Sequence, residues 1–155
     1  MTLSLLEGAI VALHAYLAAN IATKLDEIDA RFGDGIVLDD IKSWYLGNIP
    51  TAVPEYPSIW LDGVRFTPKR NLEKGKIDVD YRIDIFILIG CTDEQERFKR
   101  LDRYAMAIME LMESNTLTYR YQWMGDVVKS SEYGINGEWL QGYKLPLQLS
   151  RKESF

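Results

Sequence analysis

The sequence has few of the side chains that carry most enzyme chemistry: it contains one cysteine and one histidine in 155 residues. Cys91 cannot form a disulfide within the chain, and one histidine cannot build a multi-histidine metal site. A chain with so little cysteine is typical of a reducing compartment. No basic leader opens the sequence, and apolar runs such as 83–90 are too short to span a bilayer. These features predict a soluble protein made in the cytoplasm.

An excess of positive charge is also missing, since the net charge is −5. A general nucleic-acid binder needs more Lys and Arg to contact phosphates, so that class is disfavoured. Apolar residues make up 47% of the chain and charged residues 26%, which is typical of a globular protein. The length predicts a single domain over 1–155, with a flexible polar tail at 150–155.

Two helices are predicted from apolar residues that recur at steps of three and four. The first helix starts near Ser4, where a capping box with Glu7 is possible, and stops near Gly33 and Gly35. Its stripe comprises Leu3, Leu6, Ile10, Leu13, Leu17, Ile21, Leu25 and Ile28. The second helix is expected to be capped by Thr92 and to end near 114–115. Its stripe comprises Phe98, Leu101, Ala105, Ile108 and Met112.

Alternating apolar and polar residues predict the strands. The clearest strand spans 77–89, and others are expected at 58–67, 117–123 and 139–149, the first with a bulge at Asp62-Gly63. Pro146 favours an edge position or a bulge in the last strand. Between the first helix and these strands, we expect a short strand at 36–38 and a helical turn at 39–45. The order predicts an α+β fold: a mostly antiparallel or mixed sheet of four to five strands with two main helices packed on it.

Each residue that could act in catalysis or binding also has a simpler structural interpretation. His14 lies beside the apolar stripe of the first helix, where a structural role is the simpler expectation. Cys91 precedes a helix N-terminus, which could stabilise a thiolate, but a free cysteine more often acts as a small hydrophobe. Gly33-Asp34-Gly35 follows a helix rather than a strand and so does not form a phosphate loop. We therefore predict no catalytic residue, no cofactor and no metal.

A charged strand face and a basic loop are the candidate subunit or partner contacts. The candidate residues are Lys69, Arg70, Lys74, Lys76, Asp78, Asp80, Arg82 and Asp84. Arg82 stands among three aspartates on one strand face, which invites an ion pair across an interface. The loop 68–76 and the glycine-containing segment 125–137 are the segments we expect to face a partner. Aromatic residues on the strands 117–123 and 139–149 fit either the core or an interface.

The layout of the chain resembles the tail-terminator and head–tail joining proteins of long-tailed bacteriophages and prophages. The resemblance covers the long first helix, the entry Glu55-Tyr56-Pro57-Ser58-Ile59 and the strand 78–85. It extends through the helix after Thr92 to the closing strand 142–147. It implies a virion protein of the tail or neck that forms a ring, typically of six subunits. Such a ring caps the tail tube and binds the tail-tube and head-connector proteins, with no membrane or specific nucleic-acid partner.

Two other functions fit the same sequence. A small enzyme or ligand-binding domain could use Asp78, Asp80 and Asp84, because carboxylates on alternate strand residues can bind a divalent cation or act as an acid–base pair. A regulatory module could instead dimerise through aromatic strand edges. The first alternative predicts a pocket beside the aspartates, and the second predicts a stable dimer.

Overall fold

The computed structural model describes residues 5–47, 55–69, 74–130, 133–135 and 138–154. The elements, in chain order, are α1 (Leu5–Phe32), β1 (Ser43–Leu46), β2 (Ser58–Lys69), β3 (Lys76–Gly90), α2 (Glu94–Glu113), β4 (Arg120–Trp123), β5 (Val128–Lys129), β6 (Tyr133–Ile135) and β7 (Glu138–Ser154). The α+β prediction is confirmed: these strands form one sheet in which β1 pairs in parallel and the other pairs are antiparallel.

The sheet has the order β1-β2-β3-β7-β4, and within the described residues β5 and β6 also pair with β7. The two long strands β3 and β7 form its centre, in register from Lys76↔Ser154 to Gly90↔Leu140. Because β1 pairs only with residues 58–61, the outer edge of β2 beyond Leu61 has no strand beside it in the described part of the chain. The β2–β3 hairpin therefore extends beyond the part of β2 that pairs with β1.

Both helices pack on one face of the sheet, which holds the core. The alternate residues of β3 from Val79 to Ile89 point to this face and are almost fully buried. The first helix contributes the predicted stripe from Ile10 to Ile28. The helices are also joined directly, since the Tyr16 hydroxyl donates to the Leu111 carbonyl at 2.6 Å. In the described residues no helix covers the opposite face of the sheet, which we call the open face.

The second helix begins one residue later than predicted. Asp93, not Thr92, is its N-cap, and the Asp93 carboxylate accepts a hydrogen bond from the Glu96 N–H at 2.8 Å. A carboxylate also suits the positive end of the helix better than a hydroxyl does. The predicted end is confirmed, with Ser114 as the C-cap.

The segment between α1 and β2 differs from the prediction. Residues 36–38 form no strand, and 39–45 form no helical turn; Ser43–Leu46 is a strand instead. It pairs in parallel with Ser58–Leu61. A parallel partner brought back by a long connection leaves no local signal, because its pairing depends on residues about 15 positions away.

The end of the chain also differs. Residues 150–154 were expected to form a flexible tail, yet they continue β7 and pair with 76–80 of β3. The Tyr81 hydroxyl donates to Glu153 at 2.7 Å, and the Arg151 guanidinium lies 4.1 Å from the centre of the Tyr119 ring. These contacts give the polar end of β7 specific partners.

Pro146 lies in this central strand and not at an edge. Its carbonyl accepts a hydrogen bond from the Met124 N–H, so its backbone faces the β4 side of β7. The N–H and C=O of a strand residue point to the same side, so the missing N–H of Pro146 removes no bond to β3. The proline is tolerated because it lies between the residues of β7 that pair with β4 and those that pair with β5.

The helix α1 is long and apolar enough to span a membrane by length and composition alone, a test that core helices of soluble proteins also pass. Here its apolar stripe is the one that contacts the sheet and α2.

Candidate interaction surfaces

The predicted charged residues lie mainly on the open face of the sheet, at the end toward the β2–β3 hairpin. Lys69 contacts Asp80, with 2.6 Å between Nζ and Oδ2, and the Ser150 hydroxyl donates to the same carboxylate at 2.7 Å. Burial raises the pKa of the Asp80 carboxyl, but these two hydrogen bonds, together with the positive charges of Lys69 and Arg120, outweigh burial and lower the pKa. Asp80 is therefore an ionised carboxylate that is bound by Lys69 and Ser150 of its own chain.

Arg82 has a partner within the chain. Its Nε lies 3.3 Å from Asp84, and Lys144 approaches the other oxygen of Asp84 at 3.5 Å. Asp84 is 7% exposed, so this carboxylate is enclosed. The charge of Arg82 is thus neutralised within its own chain, so Arg82 does not need an ion pair with another subunit.

Asp62 stands directly across from Asp84 in the β2–β3 pairing, at the predicted bulge, where the register shifts between Gly63 and Arg65. Burial raises the pKa of Asp62, and the charge of Asp84 raises it further, while Lys144 opposes the shift. Sequence reasoning missed Asp62 as a member of this cluster because the pairing register is not visible in one strand.

The remaining candidates are spread out. Asp78 is half-buried and stands across from Lys69 and Lys152 in the sheet. Lys74 is exposed, Lys76 is half-buried at the start of β3, and Arg70 lies outside the described residues. Within the described ranges, no group of three His, Cys, Asp or Glu residues is placed to hold a metal ion.

His14 and Cys91 lie apart from this cluster. His14 stacks edge-on against Trp44, with 5.1 Å between ring centroids, which fits the structural role expected for it. Cys91 is half-buried, and its backbone N–H donates to the Trp139 carbonyl.

Next to the ionic cluster, the open face becomes aromatic. Trp60 lies 6.5 Å from Phe86 and 6.1 Å from Tyr45, measured between ring centroids. Trp60, Phe86 and Val128 border a mostly apolar cleft of about 320 Å³.

A larger groove of about 720 Å³ lies between α2 and the β4 side of the sheet; we call it the α2 groove. Its walls include Phe98, which is 48% exposed, and Met109, which is 41% exposed. Tyr121 and Trp123 of β4 face it from the sheet side, with 6.3 Å between their ring centroids. Phe98 was predicted to lie in the buried stripe of α2, but it belongs to this second, exposed stripe. Arg97 and Tyr104, which were not part of the predicted stripe, are buried in α2, whereas Phe98 is not.

The rim of the α2 groove is acidic. Asp102, Glu110 and Glu113 line it. Among the described lining residues Lys129 is the one cation, and it lies 5.5 Å from the Phe98 ring centre. Asp102 accepts a hydrogen bond from the Tyr143 hydroxyl at 2.9 Å. Glu110 is bound by Arg31 of α1 through two hydrogen bonds, of 2.8 and 3.0 Å, which lower its pKa.

A second exposed apolar surface lies at the opposite edge of the sheet, on β2; we call it the hairpin surface. Val64 and Phe66 are each 47% exposed there. The exposed basic residues Arg65 and Lys69 are on the same strand, but the pairing register places them on the open face, whereas Phe66 stands across from the buried Tyr81. The chain is thus an α+β fold with two separate exposed apolar areas, of which the α2 groove has an acidic rim.

No protein-family model matches the chain, and no curated protein matches it. Among solved structures, a chain in "Virion of native gene transfer agent (GTA) particle" is similar, with 10% sequence identity and a TM-score of 0.42. The match covers 97% of this chain and 100% of that chain. At this identity and TM-score the likeness supports no conclusion about function.

Proposed function

We propose that the protein is a virion assembly subunit that associates head to tail into a ring. Following the resemblance in its sequence layout, the ring is a tail terminator of about six copies in the tail or neck of a phage-like particle. It caps the tail tube and offers a surface to the head connector. In this proposal the protein is not an enzyme.

The observation that supports head-to-tail association is the pair of unlike surfaces at opposite edges of the sheet. A heterologous interface uses two different patches of each subunit, and it closes into a ring when the rotation between copies permits. The α2 groove is concave, and the hairpin surface is an exposed strand edge, so the two patches differ as such an interface requires. An isologous dimer would instead use one patch that complements itself.

The acidic strand face supports the enzyme alternative less well. Asp80 is bound by Lys69 and Ser150, and Asp84 lies between Arg82 and Lys144. Carboxylate oxygens that already accept these hydrogen bonds and ion pairs are poor ligands for an added cation, because binding would first have to break them. The same contacts explain the charged sheet surface as a structural feature, with no catalytic or metal-binding role for its carboxylates.

The test is the mass of the protein in solution, measured by light scattering over a range of protein and salt concentrations. The proposal predicts a discrete particle of about 107 kDa, six times the chain mass of 17.9 kDa, and a ring in electron micrographs. A chain that stays at 17.9 kDa at every concentration contradicts self-assembly. A stable dimer that grows no further favours the interaction module.

A further inference from the structure

A polar cleft of about 320 Å³ lies on the open face of the sheet, where β3, β7 and β4 adjoin. Apart from one tyrosine, its lining residues are charged side chains, amides and a hydroxyl, in contrast to the two apolar areas described above. They are Lys69, Asp80, Arg120, Tyr121, Gln122, Gln148 and Ser150. The cleft is separate from the α2 groove and the hairpin surface, so a different partner can occupy it.

The strand register determines which side chains meet in this cleft. Leu149 of β7 is buried in the core, so its neighbours Gln148 and Ser150 point to the open face. Arg120 of β4 stands across from Ser150, and Gln122 stands across from Gln148. Directly opposite residues have Cβ atoms about 4.5–5.5 Å apart, so one small group can contact side chains from both strands.

One positive charge in the cleft has no counterpart. Lys69 and Ser150 both bind Asp80, so the charges of Lys69 and Asp80 neutralise each other. Arg120 makes no hydrogen bond or ion pair with a described residue, although its charge helps to lower the pKa of Asp80. The guanidinium of Arg120 therefore leaves the cleft with a surplus of one positive charge, in a chain whose net charge is −5.

Two side-chain amides add hydrogen-bond donors beside Arg120. The amides of Gln122 and Gln148 make no hydrogen bond with a described residue, and Gln122 and Arg120 are both exposed. Each amide has two N–H donors, and the guanidinium has five in a planar fork. This fork matches the two oxygens of a carboxylate. The cleft thus offers the charge and the donors for one oxyanion.

The surrounding sheet surface favours a carboxylate over a nucleic-acid backbone. A nucleic acid carries a phosphate about every 3.4 Å along each strand. Successive phosphates would meet the carboxylates of Asp78, Asp80 and Asp84, which the register places on the same face. A protein segment can present one carboxylate to Arg120 and other groups to these aspartates. The occupant that fits is therefore an Asp or Glu side chain of an acidic protein segment.

We propose that Arg120, together with Gln122 and Gln148, binds a carboxylate of an acidic segment in a partner protein. The site lies on β4, the last strand of the sheet in the described part of the chain, where such a segment can reach it from solvent. Because this surface is separate from the two patches assigned to ring association, the inference does not depend on the proposed function.

The test uses a fluorescein-labelled octa-glutamate peptide as the probe and measures its fluorescence anisotropy as the protein is added. The unmodified chain is expected to bind the peptide, and salt should weaken this binding by screening the charges. Arg120→Gln removes the guanidinium and is expected to weaken binding about tenfold, through loss of charge-assisted hydrogen bonds. Because Arg120 is exposed, the variant is expected to fold, which circular dichroism checks.

Lys99→Gln is the matched control. Lys99 is exposed on α2, outside the cleft, and its substitution changes the net charge of the chain by the same amount. This variant is expected to bind the peptide like the unmodified chain. The side-chain amide NMR signals of Gln122 and Gln148 provide a second measurement, because they should shift with the octa-glutamate peptide and not with an octa-glutamine peptide.

Three outcomes would overturn the inference: no binding of the peptide to the unmodified chain, equal weakening by Arg120→Gln and Lys99→Gln, or no shift of the two amide signals. A labelled DNA duplex that binds more tightly than the peptide, and loses affinity in Arg120→Gln, would assign the site to phosphates instead and also overturn it. Light scattering of the same samples reports ring formation, so failure of this inference and failure of the proposed function are seen separately.

Discussion

Replacing Tyr81 by Phe tests whether the polar end of β7 is held as the structure shows. Tyr81 is fully buried, and its hydroxyl donates to Glu153 over 2.7 Å. A hydrogen bond to a charged group contributes about 1.5–3 kcal/mol to stability. Tyr81→Phe removes this bond with almost no change in volume, so the loss at neutral pH is expected near 2 kcal/mol. For a chain of this size, that lowers Tm by about 4–8 °C.

The pH dependence of this loss is specific. Burial opposes the charge of Glu153, but hydrogen bonds from Arg151 and Tyr81 outweigh it, so its pKa in the folded protein lies below the ordinary 4.5. A lowered carboxyl pKa contributes stability that is present above the unfolded-state value and is lost as the pH falls through the folded-state value. The difference between the native chain and Tyr81→Phe should therefore shrink in acid toward about 0.5–1.5 kcal/mol, the range for a neutral hydrogen bond.

Urea unfolding followed by tryptophan fluorescence, at neutral and acidic pH, measures both effects. Tyr119→Phe is the matched control, because Tyr119 is buried beside Tyr81 but its hydroxyl makes no hydrogen bond to any described residue. Its substitution should change stability by less than about 0.5 kcal/mol. Equal stability of Tyr81→Phe and the native chain at neutral pH would refute a stabilising hydrogen bond between Tyr81 and Glu153.

Three further predictions concern single positions. Gly142→Ala should cost about 1–3 kcal/mol in thermal or urea unfolding, because its added methyl would lie 2.6 Å from a β3 backbone oxygen; Gly63→Ala should cost less, since the atoms it meets are side-chain carbons of Leu6 and Ile10, which can move more easily than backbone. Asp93→Ala should cost about 1 kcal/mol by loss of the N-cap, while Thr92→Ala should be near neutral, and the opposite ranking would contradict the cap assignment. Asp62→Asn should raise Tm at neutral pH, because the folded state raises the pKa of this carboxyl and its ionisation costs stability as the pH rises; the gain should disappear in acid, and a loss at neutral pH would contradict the reasoning.

The parts of the fold that follow from local periodicity could be predicted from the sequence. The stripe of α1 and the alternation of β3 each have one dominant apolar face, and each was found where predicted. The bulge near Gly63 was also found, since Asp-Gly interrupts a run of strand-forming residues. In these segments, local propensity and burial favour the same structure.

The errors have a common physical origin, because they depend on partners distant in sequence. Residues 150–154 resemble a solvated tail until Arg151 and Glu153 are matched with Tyr81 and Tyr119. Phe98 fits a buried stripe by spacing alone, but the sheet under α2 leaves that side of the helix open as a groove. Sequence spacing indicates which residues share a face, and only the tertiary packing determines whether that face is covered.

The candidate surfaces were predicted in part. The hairpin was expected to face a partner because of its basic residues, and Lys69 and Lys74 are indeed exposed. That it faces a partner remains a proposal. The apolar component, Val64 and Phe66, was assigned only to a strand, because nothing in the sequence shows that β1 ends at Leu46 and that no other described strand pairs with this edge.

The most direct test of the central claim is the mass of the unmodified chain in solution, measured by light scattering over a range of protein concentrations. The account predicts a discrete particle of about 107 kDa, six times 17.9 kDa, and a ring in electron micrographs. A chain that stays at 17.9 kDa at every concentration would contradict the account.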